Sequence, residues 1–212
     1  MRKEQAVSHY CDCGKLDQAG RIHRWIAKGY EESDQTSQAI DEYKLTLKYF
    51  MAQNMTEQVL MCQRRIAHLL CLNDDLEQAS EFYQSIGLKE LESNLTKNNA
   101  HLSFFKSIIL LLPSSMKGRK SYNFTKVNEQ MKQFKAKDFR FEASAACDFL
   151  QNIIMILSKR GNVLHLFTDH IYDYDSLHPM DSVCLDILED IMRLYYKEQI
   201  EDCSKASNIK ID

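Results

Sequence analysis

An all-α fold, built as an array of antiparallel helical hairpins, is what this 212-residue chain predicts, and three observations carry the prediction. The first is internal repetition: Ala-x-x-x-Tyr occurs at Ala6/Tyr10, Ala39/Tyr43 and Ala79/Tyr83, and Gln18, Arg24, Ile26, Ala27, Gln38, Ala39 and Tyr43 recur forty residues later as Gln58, Arg64, Ile66, Ala67, Gln78, Ala79 and Tyr83. The second is that only six Gly and two Pro are present, too few for a turn-rich β chain. The third is apolar spacing of three and four, clearest in Ala143, Ala146, Cys147, Leu150, Ile153, Ile154 and Leu157, which is the period of a helix with one buried face.

A forty-residue period belongs to tetratricopeptide-like two-helix repeats, so the fold expected is a right-handed array of hairpins followed by a C-terminal helical bundle. In such repeats a small Ala lets two helices approach, and the aromatic one turn later fills the gap toward the next hairpin. No unit then buries its apolar face alone. The elements follow in order. A first helix runs through Ala6 and Tyr10 and closes near Gly14, a residue suited to a left-handed turn. A second spans Leu16 to Glu32, and Ser33 and Asp34 are good caps for a third from Thr36 to Gln53. Asn54 and Thr56 give the next stop and start, with helices from Thr56 to Leu72 and from Asp75 to Ile86 closed by Gly87. A longer helix from Ser93 to Leu112 ends at Pro113, which cannot continue the hydrogen-bond ladder.

Pro113 to Asn123 reads as a basic loop, and Val127, Met131 and Phe134 suggest a short helix after it. The stripe that starts at Ala143 follows, closed by Gly161-Asn162, with Val163 to Tyr172 as its partner. Pro179 opens a last helix in which Cys184, Ile187, Leu188 and Ile191 face inward while Asp186, Glu189 and Asp190 face out. The domain reading is repeats over 1–138, a helical bundle over 139–202 and a flexible tail over 203–212.

Charge is uneven. Residues 113–140 hold eight Lys/Arg against two acids, and residues 167–212 hold four against eleven, which suggests two kinds of partner. No apolar run approaches the roughly 20 residues that cross a bilayer, and no signal-peptide pattern follows Met1, so a cytoplasmic location is expected. Cys62, Cys71, Cys147 and Cys184 lie among apolar residues and read as small buried side chains. His9, Cys11, Cys13 and His23 lack the second paired set that a zinc site needs, and no metal or other cofactor is expected. Asp169, Asp173 and Asp175 read as solvated acids at a helix end or as part of a partner-binding surface. Without a sheet edge or a Gly-rich phosphate loop, the chain is not expected to be an enzyme.

The chain resembles the soluble NSF attachment proteins of the α-SNAP type, most strongly from Ala6 to Lys106. Ala6-Val7-Ser8-His9-Tyr10, Gly14-Lys15 and Arg21 are similar to the family's run of alanine, tyrosine, glycine and basic residues. Ile26-Ala27-Lys28-Gly29-Tyr30-Glu31 and Glu77 to Gly87 hold the register, and Phe104-Phe105-Lys106, Cys147, Tyr174-Asp175-Ser176-Leu177 and Asp181 continue it. The resemblance implies an adaptor that lies along the SNARE four-helix bundle, syntaxin-like chains included, and recruits the hexameric ATPase NSF during vesicle transport. Neither nucleic acid nor a transmembrane segment enters this reading, and membrane association would be peripheral, through SNAREs.

By the same resemblance, the SNARE-facing positions are Lys15, Arg21, Arg65, the aliphatic Leu95 and His101. Met61, His101 and Ala145 stand where the family is basic, and Val183 where it has a tryptophan. The NSF-facing positions are Asp186, Glu189, Asp190, Glu201, Asp202 and the penultimate Ile211, with Ala206-Ser207-Asn208 where the family has acids. The family's N-terminal hairpins and their membrane-touching loop have no counterpart here, so a shortened adaptor is expected. The alternative is a generic repeat scaffold in a large complex, without SNARE binding.

Overall fold

The computed structural model describes residues 2–116, 122–159 and 164–208, with side chains over 5–116, 122–159 and 164–197. Every element among the described residues is helical. The chain divides into two compact units, Met1–Lys89 and Glu90–Asp212.

The first unit is built from α1 (Arg2–Asp12), α2 (Leu16–Glu32), α3 (Thr36–Ala52), α4 (Thr56–Leu72) and all but the end of α5 (Leu76–Leu91). Its period is twenty residues per helix and turn, two of which make the forty-residue repeat. Gly14, Asp34, Asn54 and Asp74 fall twenty apart, and each adopts the left-handed conformation, with φ of 69°, 55°, 53° and 62°. The N–H one residue further on reaches back to a carbonyl five residues earlier each time: Lys15 to Tyr10 at 2.8 Å, Gln35 to Tyr30 at 2.9 Å, Met55 to Phe50 at 3.0 Å and Asp75 to Leu70 at 2.9 Å. These are Schellman closures, which satisfy carbonyls that the end of a helix leaves open.

That geometry corrects one sequence expectation. Asp34 closes α2 rather than capping α3, and neither α3 nor α4 has a side-chain cap at its start. The turn is too tight for a separate capping residue, because the left-handed residue is followed within two positions by the next helix. Packing keeps the same period. Ala19, Ala39, Val59 and Ala79 are all buried, as are Ala27 and Ala67, and Tyr43 and Tyr83 fill the spaces beside them. Gly20 marks the tightest approach: a Cβ there would meet Phe50 Cε1 at 2.9 Å and Tyr49 Cβ at 3.2 Å. Gly87, expected to end a helix, is buried inside α5, which continues to Leu91.

The second unit is organised around α6 (Ala100–Ser115), which follows a single 3-10 turn at Lys97–Asn99. Phe104, Phe105 and Ile108 to Leu112 are buried on all sides, the mark of a central helix. Around α6 pack α7 (Thr125–Lys137), α8 (Phe139–Glu142), α9 (Ala145–Ser158) and α11 (Ser182–Asn208), with α10 (Leu164–Leu177) against α9 and α11. Aromatic rings join these layers. Phe104 stacks on Phe134 with centroids 4.2 Å apart, and Phe149 stacks on Tyr174 at 4.3 Å.

Several boundaries differ from expectation for local reasons. Pro113 lies inside the last turn of α6, where its missing N–H costs one bond, and the Ser114 and Ser115 hydroxyls donate to the Leu111 carbonyl at 3.0 and 3.1 Å as the helix ends. Ala143 falls off the apolar stripe because Ser144 restarts the chain as the cap of α9, its Oγ accepting the Cys147 N–H at 3.2 Å. Pro179 does not begin α11. Asp181 caps that helix instead, accepting the Cys184 N–H at 3.0 Å. Cys62, Cys147 and Cys184 are buried as expected, but Cys71 is only half-buried. The expected closure at Gly161-Asn162 and most of the basic loop after Met116 lie outside the described residues.

Candidate functional site

In the first unit α2 and α4 run parallel on one face, in a register that two contacts define. Arg24 Nη1 donates to Gln58 Oε1 at 3.0 Å, and Arg65 donates to Glu31 through Nε at 2.7 Å and Nη2 at 2.5 Å. Both pairs are thirty-four residues apart, so each turn of α2 lies beside a matching turn of α4. Between them is a groove of about 760 Å³ lined by Arg24, Lys28, Glu31 and Glu32 of α2, Tyr43 of α3, and Met61, Cys62, Arg64, Arg65 and His68 of α4. Four permanent cations face two carboxylates there.

The groove extends along α2 by simple helical spacing. Arg21 sits three residues before Arg24 and Trp25 three before Lys28, so they share an outward face of α2, and Trp25 is 62% exposed. Arg21 makes only a loose pair with Asp17 at 3.9 Å. Met61, also exposed, adds an apolar surface on α4. Cations interleaved with an exposed indole and a thioether suit an acidic, amphipathic protein surface, since the charges orient and the apolar groups exclude water.

Beneath these groups the floor is neutral. Burial, helped by the neighbouring Glu31 carboxylate, pushes the Tyr43 hydroxyl up to about 12, and burial pushes the Cys62 thiol up to about 11. Burial alone would raise Glu31, but the Arg65 guanidinium and a hydrogen bond from Tyr43 more than offset it and hold the carboxyl below its ordinary range. Glu31 is therefore charged at neutral pH, and Arg65 is not a free cation.

The family-matched positions fall as follows. Lys15 is exposed in the turn that leads into α2, Arg21 is exposed on α2, and Arg65 is engaged by Glu31. In the second unit Leu95 is 89% exposed, His101 is half-buried at the start of α6, and Ala145 is exposed at the start of α9. Asp186, Glu189 and Asp190 are exposed along α11, where Arg193 bonds Glu189 at 2.7 Å and approaches Asp190 at 3.6 Å. Glu201 and Asp202 fall within α11, but their side chains, like Ile211 altogether, lie outside the described residues.

The histidine and cysteine group of the N-terminal helices is dispersed. Cys13 Sγ lies 3.9 Å from His9 Nε2, Cys11 Sγ lies 3.6 Å from the Tyr49 hydroxyl, and His23 Nδ1 lies 2.6 Å from Glu42 Oε2. No three of the described His, Cys, Asp and Glu residues converge as metal ligands. Asp175 serves the backbone, accepting the Met180 N–H at 2.7 Å. Arg24, Lys28 and Arg64 carry the groove and were not singled out from sequence as site residues. The recurrence of Arg24 as Arg64 was the signal that could have found them.

Helical hairpins stacked in this way place the chain in the tetratricopeptide-like class of all-α folds. Within that class the chain belongs to the SNAP family: residues 2–195 match the family described as soluble NSF attachment protein. Among curated relatives, the alpha-soluble NSF attachment protein of Dictyostelium discoideum is 24% identical over 84% of this chain and 58% of its own length. The human alpha-soluble NSF attachment protein is 23% identical over 84% of this chain and 57% of its own. A soluble NSF attachment protein homolog of fowlpox virus (strain NVSL) is 22% identical over 93% of this chain and 68% of its own. The chain thus spans less than three fifths of the length of the Dictyostelium and human relatives.

Proposed function

We propose that this chain is an adaptor, not an enzyme, which lays the α2–α4 face against an assembled SNARE four-helix bundle and brings the NSF ATPase to it for disassembly. Family membership supports the adaptor reading, and one observation carries the assignment of the face. Arg24, Lys28, Arg64 and Arg65 converge on a single groove against Glu31 and Glu32, beside the exposed Trp25 and Met61. Lys15 and Arg21 extend that face toward the start of α2, and Leu95 and His101 are proposed as further contacts within the second unit.

The acidic outer face of α11, with Asp186, Glu189 and Asp190, is proposed to meet NSF, together with Glu201, Asp202 and Ile211. No helix among the described residues is long and apolar enough to cross a membrane. Membrane association would then be peripheral and cytoplasmic, through the SNARE partner.

The test is binding of purified SNARE bundle at low and at physiological salt. Binding weakens as salt rises, because the contacts are screened over about 8–10 Å. The triple variant Arg24→Glu, Lys28→Glu, Arg64→Glu, with helicity retained, loses it. Undiminished binding by that variant would move the interface off α2 and α4.

A further inference from the structure

The Arg65 fork is already occupied. Its two donors hold both oxygens of Glu31, whose side chain is 14% exposed, while Arg65 itself lines the groove and is 46% exposed. The Tyr43 hydroxyl bonds the same carboxylate from below. This pair is no part of the repeated packing: forty residues on from Glu31 stands Cys71, and forty before Arg65 stands Trp25. A paired fork is also a statement about ligand chemistry, because two parallel N–H donors fit the two oxygens of a carboxylate.

We propose that Glu31 is a built-in competitor: it holds the Arg65 fork and the Tyr43 hydroxyl in the place of a partner's carboxylate, is displaced when that carboxylate binds, and thereby sets the affinity and salt threshold of the groove. The inference rests on the proposed function for its choice of partner, but its chemistry needs only an acidic side chain of a protein surface. Displacement exchanges one carboxylate for another at Arg65, so while Glu31 stays charged the fork contributes less net affinity than an unpaired fork would. Removing that charge frees two donors and leaves Glu32 as the one carboxylate among the residues that line the groove. Affinity then rises, opposite in sign to the loss of any cation of the groove.

The experiment measures binding of two probes, the assembled SNARE bundle and poly-L-glutamate, at about 50 and 150 mM salt. Wild type is compared with Glu31→Gln, Arg65→Ala, the double variant and Tyr43→Phe, each first checked for wild-type helicity and melting temperature. Glu31→Gln tightens both probes about three- to tenfold and steepens the salt dependence, and Arg65→Ala weakens both. The double variant shows no gain over Arg65→Ala, because the effect passes through the fork. Tyr43→Phe removes one anchor of Glu31, gives a smaller gain, and carries the test if Glu31→Gln does not fold.

Unchanged or weaker binding by Glu31→Gln, with Arg65→Ala weakened, overturns the competitor and leaves the face standing. A gain that persists in the double variant also overturns it, since that would be a diffuse field effect. Indifference of both probes to Arg65→Ala overturns the competitor and the face together. Binding of poly-L-glutamate with the expected gain, but none of the bundle, upholds the competitor and overturns the choice of partner.

Discussion

Gly20 carries a packing burden that its residue type alone does not announce. Alanine is the better helix former by about 1 kcal/mol, so on propensity Gly20→Ala would stabilise α2. The added methyl group, however, meets the buried ring of Phe50 at 2.9 Å. Overpacking of this kind costs about 1–3 kcal/mol, and Gly20→Ala is expected to lower stability by about 1 kcal/mol in denaturant unfolding. A rise in midpoint would show that α2 and α3 can part without loss.

Asp181 makes a second residue-scale prediction. Its burial works to raise the carboxyl, but the ion pair with Lys106 and the Cys184 N–H prevail, and the group lies below its ordinary value of 3.8. A depressed carboxyl stabilises the fold above its unfolded value, and that contribution disappears as pH falls through the lower, folded one. Asp181→Asn keeps the cap and removes the charge. The variant should melt below wild type at neutral pH, and the gap should close as the pH drops below about 3.8. A gap that stays constant with pH would mean that Lys106 contributes nothing through this charge.

At the scale of the element, the repeating device is the left-handed closure of each helix in the first unit. Gly14 holds that conformation without strain, whereas Asp34, Asn54 and Asp74 hold it at a cost of about 1 kcal/mol, moderated by their short polar side chains. Asp34→Gly, Asn54→Gly and Asp74→Gly should each raise stability, by about 0.5 kcal/mol or more, while Gly14→Ala should lower it by about 1 kcal/mol. Thermal melts of the four variants test the set. Glycine variants that melt lower than wild type would mean that the side chains at these turns do more than tolerate the geometry.

The same element shows why the groove was only partly legible. The sequence repeats at forty residues, and that offset pairs Arg24 with Arg64 and Lys28 with His68. The groove pairs residues thirty-four apart, because parallel helices of successive hairpins are staggered by less than a full repeat. Spacing along one helix marks Arg21, Arg24, Trp25 and Lys28 as one face. Which face of α4 it meets depends on the angle and stagger of three packed helices, and no local pattern encodes either.

At the scale of the molecule, the proposed division of labour sets a basic face on the first unit against an acidic helix at the end of the second. The adaptor reading predicts that this chain supports SNARE disassembly by NSF with ATP, and that Ile211→Ala reduces the rate while leaving SNARE binding unchanged. Disassembly indifferent to that substitution would take Ile211 out of the NSF contact. Loss of SNARE binding with it would place the residue in the other interface.

The sequence by itself determined the helical class, the forty-residue hairpin repeat, the buried Ala39/Tyr43 and Ala79/Tyr83 pairs and the resemblance that family membership bore out, whereas Ala6 and Tyr10 are only half-buried. Those properties are written in spacing, because an α-helix returns to the same face every 3.6 residues and a stacked repeat must return to the same neighbour. Tertiary structure alone decided that Asp34 closes a helix instead of starting one, that Pro113 stays within one, and that Arg65 is held by Glu31. Each of these is an outcome of competition between local preference and the packing of residues distant in sequence. The preference is worth about 1 kcal/mol or less, and packing overrides it wherever a buried neighbour stands to lose more.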